Sequence, residues 1–406
     1  MERQQQPGKR QLSQSPTHSL PPLQQPQQQQ QAQQIQRDAV PAAADPSRIW
    51  LPEVVHHFAG SLSGNELAAT LRLVDKATAA QFHGPQHTTV RLTLPVPHHA
   101  FVWRWGGPNA ARGLTVWQRQ LLPCLTARSG SIANLEVLLA RDDLTSPLAD
   151  AVLAAAAGAG QLEVCRWLRQ QGCPMDDTLT LQLAAHGGHQ AVCEWLLGEG
   201  DRPPADVWAA PAAAARGGHV DLMDWLLARI SAGAHGPDVW NLLAGAAIGC
   251  GLLTLQRLHH TYLDSRGEQL HGDSQELVVA AAAASLTADW RDKVEWLEGR
   301  GCRRTASACE TAAQRADSRE RLEWLRQRGY PLTIGAVYQA ATHGGADALE
   351  FLLAQGVELG LNFSAPYFAA SRGHLAALKV LHAHGAPLDD EMLAAATEGG
   401  HLPVVA

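Results

Sequence analysis

The sequence predicts an all-α fold built as a helical-repeat solenoid, and three observations predict it. One column of nine recurring segments in residues 121–406 is leucine every time: Leu138, Leu168, Leu196, Leu226, Leu258, Leu297, Leu325, Leu352 and Leu381. The preceding column reads Val137, Trp167, Trp195, Trp225, Arg257, Trp296, Trp324, Phe351 and Val380, at spacings of 30, 28, 30, 32, 39, 28, 27 and 29 residues. An alanine-rich run such as VLAAAAGAG or YFAASRGH precedes each unit, and alanine is the best helix former and a poor strand former. Each unit thus reads as a small-residue helix, a glycine turn and an apolar helix. No unit can bury its apolar face alone, so the units must stack.

Residues 1–46 form a glutamine- and proline-rich tail, with QQPQQQQQAQQIQ at its centre. Such a segment has too little apolar surface to offset its conformational entropy, and disorder is expected. Order is expected from residue 47. In LPEVVHHFAGSLSGNELAATLRLVDKATAAQF, Pro52 suits a first helical turn. Val54, Val55, Phe58 and Leu62 then recur at helical spacing, SGN breaks the run, and Leu67, Leu71 and Val74 begin another. Two or three short helices over residues 47–83 follow from this.

Residues 84–120 read as a connector or N-terminal cap. TVRLTL alternates, which predicts a short strand at Val90, Leu92 and Leu94. Trp103 and Trp105 are expected to cover the exposed end of the repeats. In the repeats, the 39-residue step between Arg257 and Trp296 marks an insertion at residues 264–274, expected to bulge as a loop. Pro211 is expected to kink or shorten its helix. The last unit stops at AAATEGGHLPVVA, with its next anchor falling just past Ala406, so the chain is expected to continue.

The composition excludes several function classes. The net charge is −7, which does not fit a nucleic-acid partner. Eight arginines between Arg300 and Arg328 are interleaved with Glu310, Asp317, Glu320 and Glu323, as on a solvated mixed-charge helix face. Seven cysteines with no CxxC argue against disulfides and zinc ribbons, and for a reducing cytoplasmic or nuclear compartment. The longest apolar run, Leu277–Leu286, is too short to span a bilayer, so no membrane partner is expected.

No phosphate-binding, zinc-protease or nucleophile-elbow signature occurs, so an enzyme is not expected, and no catalytic, cofactor-binding or metal-binding residues are assigned. His186-Gly-Gly-His189 with Cys193 has the look of a ligand set. However, the Gly-His pair returns at His219, His374 and His401, which ties it to the repeat. Adjacent histidines such as His56-His57 and His259-His260 point about 100° apart on a helix and do not converge on one ion. The tryptophan column reads as core. Asp176, Asp177, Asp389 and Asp390 recur at one loop position and read as helix N-caps, with an acidic rim for a basic peptide as the alternative.

AAARGGHVDLMDWLLARI and AASRGHLAALKVLHAHGAPLDDEML resemble ankyrin repeats. The resemblance covers about residues 121–406. It departs from the family in its shorter period, against about 33 residues, and in lacking the Thr-Pro-Leu-His start. It implies an unidentified protein partner bound through the repeat surface. Residues 47–83 resemble an F-box, which implies that Leu51, Pro52, Val55, Leu62, Leu67, Leu71 and Val74 dock on the adaptor of a cullin–RING ubiquitin ligase. The family's aromatic residue after the lysine is missing in VDKATAAQF. Together the two resemblances imply an interaction adaptor that recognises ligase substrates. The alternative is an ankyrin scaffold with no ubiquitin link, whose N-terminal helices only cap the stack.

Overall fold

The computed structural model describes residues 51–144, 147–198, 207–230, 238–359 and 364–405. The expected tail at residues 1–46 lies outside them. Helices are the regular structure of the described residues, with no strand among them. Helices Pro52–Ala59, Gly64–Ala69 and Lys76–Gln81, with a 3-10 turn at Leu71–Leu73, form an N-terminal module. Ser63 caps the second of these helices. Its hydroxyl accepts from the Glu66 amide at 3.2 Å, and the Glu66 carboxylate accepts from the Ser63 amide at 2.8 Å. The module closes a small core of Val55, Ala59, Leu67, Leu71 and Phe82.

The connector holds helices Pro85–Thr88 and His98–Trp105. The strand expected at Val90, Leu92 and Leu94 is absent, and residues 89–97 run as turns and extended coil. Isolated alternation is not enough, because a strand needs a ladder partner for its backbone groups. Here a side chain takes that part. Asn65, 1% exposed, donates to the carbonyls of Arg91 (2.8 Å), Leu94 (3.2 Å) and Pro95 (2.9 Å) and accepts from the Arg91 amide (2.8 Å).

Ten helix pairs follow among the described residues. Their first helices are Val116–Arg128, Asp150–Ala157, Asp177–His186, Ala209–Arg216, Val239–Gly249, Asp273–Ala283, Ala306–Ala312, Ile334–Thr342, Ser364–Ser371 and Asp390–Glu398. Their second helices are Ile132–Leu139, Leu162–Gln170, Gln190–Gly198, Val220–Ile230, Leu252–Tyr262, Trp290–Gly299, Ser318–Gln327, Ala346–Ala354, Leu375–Ala383 and the short Leu402–Val405. Each first helix packs on the first helix of the next pair, and the second helices stand further apart. Small side chains permit this approach. Between pairs four and five a Cβ on Gly245 would overlap the Ala212 carbonyl oxygen and one on Gly249 those of Ala215 and Arg216, and between pairs three and four one on Gly217 would overlap the His186 carbonyl oxygen.

All nine leucines of the repeated column are buried. The tryptophan column differs from the expectation of core. Trp167, Trp195, Trp225, Trp296 and Trp324 are only half-buried, and Arg257 is exposed. Residues such as Val164, Cys165, Val192, Cys193 and Met223 fill the layer between pairs together with the leucines. The indoles cover the rim, where arginines four residues on lie over them: Arg229 on Trp225 (5.6 Å), Arg300 on Trp296 (5.1 Å) and Arg328 on Trp324 (4.8 Å).

Two further expectations are corrected. Pro211 falls in the first turn of Ala209–Arg216, where its missing N–H removes no intrahelical bond, and that helix is as long as Asp150–Ala157 or Ser364–Ser371. The insertion does not simply bulge. Leu263 and Leu270 are buried, and Asp264 opens a 3-10 turn ending at Gly267, whose φ is +68°. Arg300 grips both Asp264 carboxylate oxygens at 2.8 and 3.0 Å.

Candidate protein-interaction site

The residues expected to meet a ligase adaptor divide in two. Val55, Leu67 and Leu71 are 1%, 5% and 4% exposed and make the module's own core, with Leu62 half-buried beside them. Leu51 and Val74 are exposed, as are Val54 and Leu73, which were not among the expected adaptor contacts. The Pro52 side chain lies outside the described residues. Of the seven residues that the F-box resemblance implied, Val55, Leu67 and Leu71 therefore face inward, while Leu51 and Val74 face outward together with Val54 and Leu73.

The connector fixes this module to the first pair. His98 Nδ1 lies 2.9 Å from Asn134 Oδ1, and the buried Asn134 donates to the Val96 carbonyl at 2.9 Å. Arg141 donates to the carbonyls of Trp105 and of Gly107, the latter at 2.9 Å, and pairs with Asp143 at 2.7 Å. Phe101 and Trp105 are buried against Leu122, Leu138 and Leu144, while Trp103 is 83% exposed.

The histidine motif has a structural use. Gly160 and Gly188 have φ of +74° and +77°, and the rings of His189 and His219 lie against them from the following pair. His189 hydrogen-bonds to the backbone of Gly158, His374 to that of Thr342, and His401 Nε2 to the Ser371 carbonyl at 3.0 Å. Gln161 does the same in pair two, donating to the Arg128 carbonyl at 3.2 Å. These acceptors belong to the last turn of the preceding first helix, whose carbonyls have no intrahelical partner. Cys193 is buried and its thiol is pushed up to about 12 by burial, so it stays protonated at neutral pH. All seven cysteines are free, and no group of three or more metal-ligating side chains converges among the described residues.

Two residues that the sequence reading missed replace the histidine where it is lacking. Lys293, fully buried, donates to the carbonyls of Ala247 (3.1 Å) and Cys250, to Ser285 Oγ (2.8 Å) and to Thr287 Oγ1 (2.7 Å), with Asp289 at 3.4 Å. Arg321, 4% exposed, donates to the Ala283 carbonyl at 2.7 Å and pairs with Asp317 at 2.7 Å. Both put a cation at the C-terminal end of the preceding first helix, where the helix dipole favours it. The signal was in the column three positions before the tryptophans. Val164, Val192, Leu222, Ala348 and Ala377 are apolar there, while Asn134, Lys293 and Arg321 are not. The arginine-rich stretch is thus not only a solvated face. Arg328 pairs with Glu295 at 2.9 Å and Glu298 at 2.5 Å, and Arg304 joins Glu298 at 3.3 Å.

No protein-family model matches the chain, and no curated protein matches it. The geometry alone must carry the functional reading. The loop aspartates cap helices, Asp176 accepting from the Leu179 amide at 3.0 Å and Asp389 from the Met392 amide at 3.1 Å. No helix among the described residues is long and apolar enough to cross a membrane. The surface left for partners comprises the outward apolar side chains of the N-terminal module and the solvent-facing positions of the repeats.

Proposed function

We propose that the chain is a non-catalytic protein-interaction adaptor. Ankyrin-like repeats hold a partner protein, and F-box-like N-terminal helices deliver it to a cullin–RING ubiquitin ligase in the cytoplasm or nucleus. The observation that carries this reading is the outward exposure of Leu51, Val54, Leu73 and Val74 on a module whose own core is already closed. Four exposed apolar side chains on so small a unit suit a docking face. The mechanism is proximity: holding a substrate near the ligase raises its effective concentration, with no bond made or broken by this chain.

The test is capture of the purified ligase adaptor by the full-length chain, beside Leu51→Asp and Val54→Asp. Binding that falls by about tenfold or more in the variants supports the reading. No binding by the unmodified chain ends the ligase arm. The second reading, a scaffold whose N-terminal helices only cap the stack, is favoured by the Asn65 and Asn134 bonds that weld module, connector and first pair together. Under that reading Leu51→Asp leaves every binding partner unaffected.

A further inference from the structure

A second apolar feature lies between the N-terminal module and the connector. A cleft of about 450 Å³ is lined by the small side chains of Ala68, Ala69 and Ala100 and flanked by Leu73, Val90 and Trp103. Leu73 is 71% exposed and Trp103 83%. Among the described residues, ten of eighteen exposed large apolar side chains lie between Leu51 and Trp117, so the patch is a property of this end of the molecule.

Charge says what kind of partner fits. No carboxylate lines the cleft, and its one charged neighbour is Arg104, whose guanidinium stands 4.0 Å from the centre of the Trp105 ring. Residues 51–128 hold seven Lys and Arg against three Asp and Glu, a surplus of four positive charges. Two of those three carboxylates, Glu66 and Asp75, are occupied in helix caps. Residues 129–406 hold twenty against thirty-three. The apolar cleft therefore sits in a cationic segment, and the anionic charge of the chain is carried by residues 129–406.

We propose that this cleft binds a short acidic amphipathic segment of a partner protein. A leucine or aromatic side chain enters between Leu73 and Trp103, and flanking carboxylates face Arg104. Apolar burial supplies affinity, and the charge surplus supplies orientation and discrimination. A concave site with small side chains accepts a protruding side chain, whereas a bilayer surface calls for a protruding apolar face. Among residues 129–405, the exposed Leu388 and Leu393 line a separate cleft beside Lys379 and Asp389, and self-association through such side chains is an outcome that the test reads. The inference does not depend on the ligase reading.

The test is selection of a displayed random-peptide library on the full-length chain, followed by fluorescence polarisation with the enriched peptides. The expected peptides carry leucine or an aromatic residue beside Asp or Glu. Trp103→Ser and Leu73→Asp are expected to weaken them by about tenfold or more, Arg104→Glu by a similar factor, and added salt progressively. Leu51→Asp, outside the cleft lining, is expected to leave them unchanged while removing any ligase-adaptor binding. Trp103 and Leu73 are so exposed that their variants are expected to melt with the parent. The proposal is overturned if no peptide is enriched, if enriched peptides lack carboxylates, or if Trp103→Ser binds as the parent does. It is equally overturned if phosphatidylserine vesicles or self-association, rather than peptides, are what Trp103→Ser abolishes.

Discussion

His401 reaches back thirty residues to Ser371, its Nε2 lying 3.0 Å from the Ser371 carbonyl oxygen. The same reach joins His189 to Gly158 and His374 to Thr342. A buried carbonyl that loses its donor costs about 1–3 kcal/mol. His189→Ala is therefore expected to destabilise the stack by about that amount, and His189→Gln by clearly less, because Gln161 already makes the equivalent bond in pair two. Chemical denaturation of the three proteins side by side measures it. Equal loss in both variants would remove the hydrogen bond from the account.

These histidines also give the fold a pH dependence. Burial holds His189 and His374 below the ordinary histidine value. Below about pH 6.5 the unfolded chain takes up protons that the folded chain resists, so stability is complete above that pH and falls below it. The melting temperature is expected to drop between pH 7.5 and 5.5. The drop should be smaller in a His189→Gln, His374→Gln double variant. An unchanged slope in the double variant would assign the effect to other groups.

Lys293 is the most exacting residue of the sixth pair. Burial pushes its ammonium pKa down while Asp289 opposes the shift. Lys293→Met keeps the volume but leaves Asp289 without its cation and two backbone carbonyls without their side-chain donor. A loss of about 3–5 kcal/mol is expected, as for removal of one partner from a buried ion pair. Adding Asp289→Asn should recover part of it. Urea titration of the single and double variants tests this, and a single variant as stable as the parent would refute it.

Thiol reactivity should follow burial. Cys165, Cys193 and Cys309 are fully buried with thiols pushed up to about 12, while Cys124 alone is half-exposed. Native alkylation followed by mass spectrometry is expected to modify Cys124 first and the buried thiols only on unfolding. Early modification of Cys193 would contradict the packing of the third pair.

Arg300 and Asp264 latch the insertion onto the sixth pair, and the Arg300 hydrogen bonds hold the Asp264 carboxyl at about 2. The latch therefore persists above about pH 4, the ordinary aspartate value, and is lost as the pH falls towards 2. Asp264→Asn is expected to speed amide exchange over residues 264–272 without changing exchange in the first three pairs. Uniform acceleration would show a global effect instead.

The sequence made the repeat legible because the same geometry demands leucine at one position in nine units and favours glycine at the turn in most of them, though not in the sixth and seventh pairs. It concealed four things for physical reasons. Val55, Leu67 and Leu71 follow the helical period of a docking face, but the period shows only that a face is apolar, not whether the chain or a partner covers it. The alternation of Val90, Leu92 and Leu94 was real, yet Asn65, distant in sequence, claimed the backbone groups that a strand would have paired. The role of Lys293 depends on which carbonyls the previous pair presents, and that is a tertiary fact. The exposed Trp103 was visible as a residue, but the cleft beside it exists only once residues 68–73 and 96–105 are folded together.

The glycines at 217, 245 and 249 have a mechanical consequence. At each of them a Cβ would overlap a carbonyl oxygen of the preceding pair, so the backbones of pairs three, four and five touch with no side chain between them. A methyl group added at any one of these glycines has to push two helices apart. A single alanine there would act as a wedge in the middle of the stack and change how far apart its two ends can hold whatever they carry.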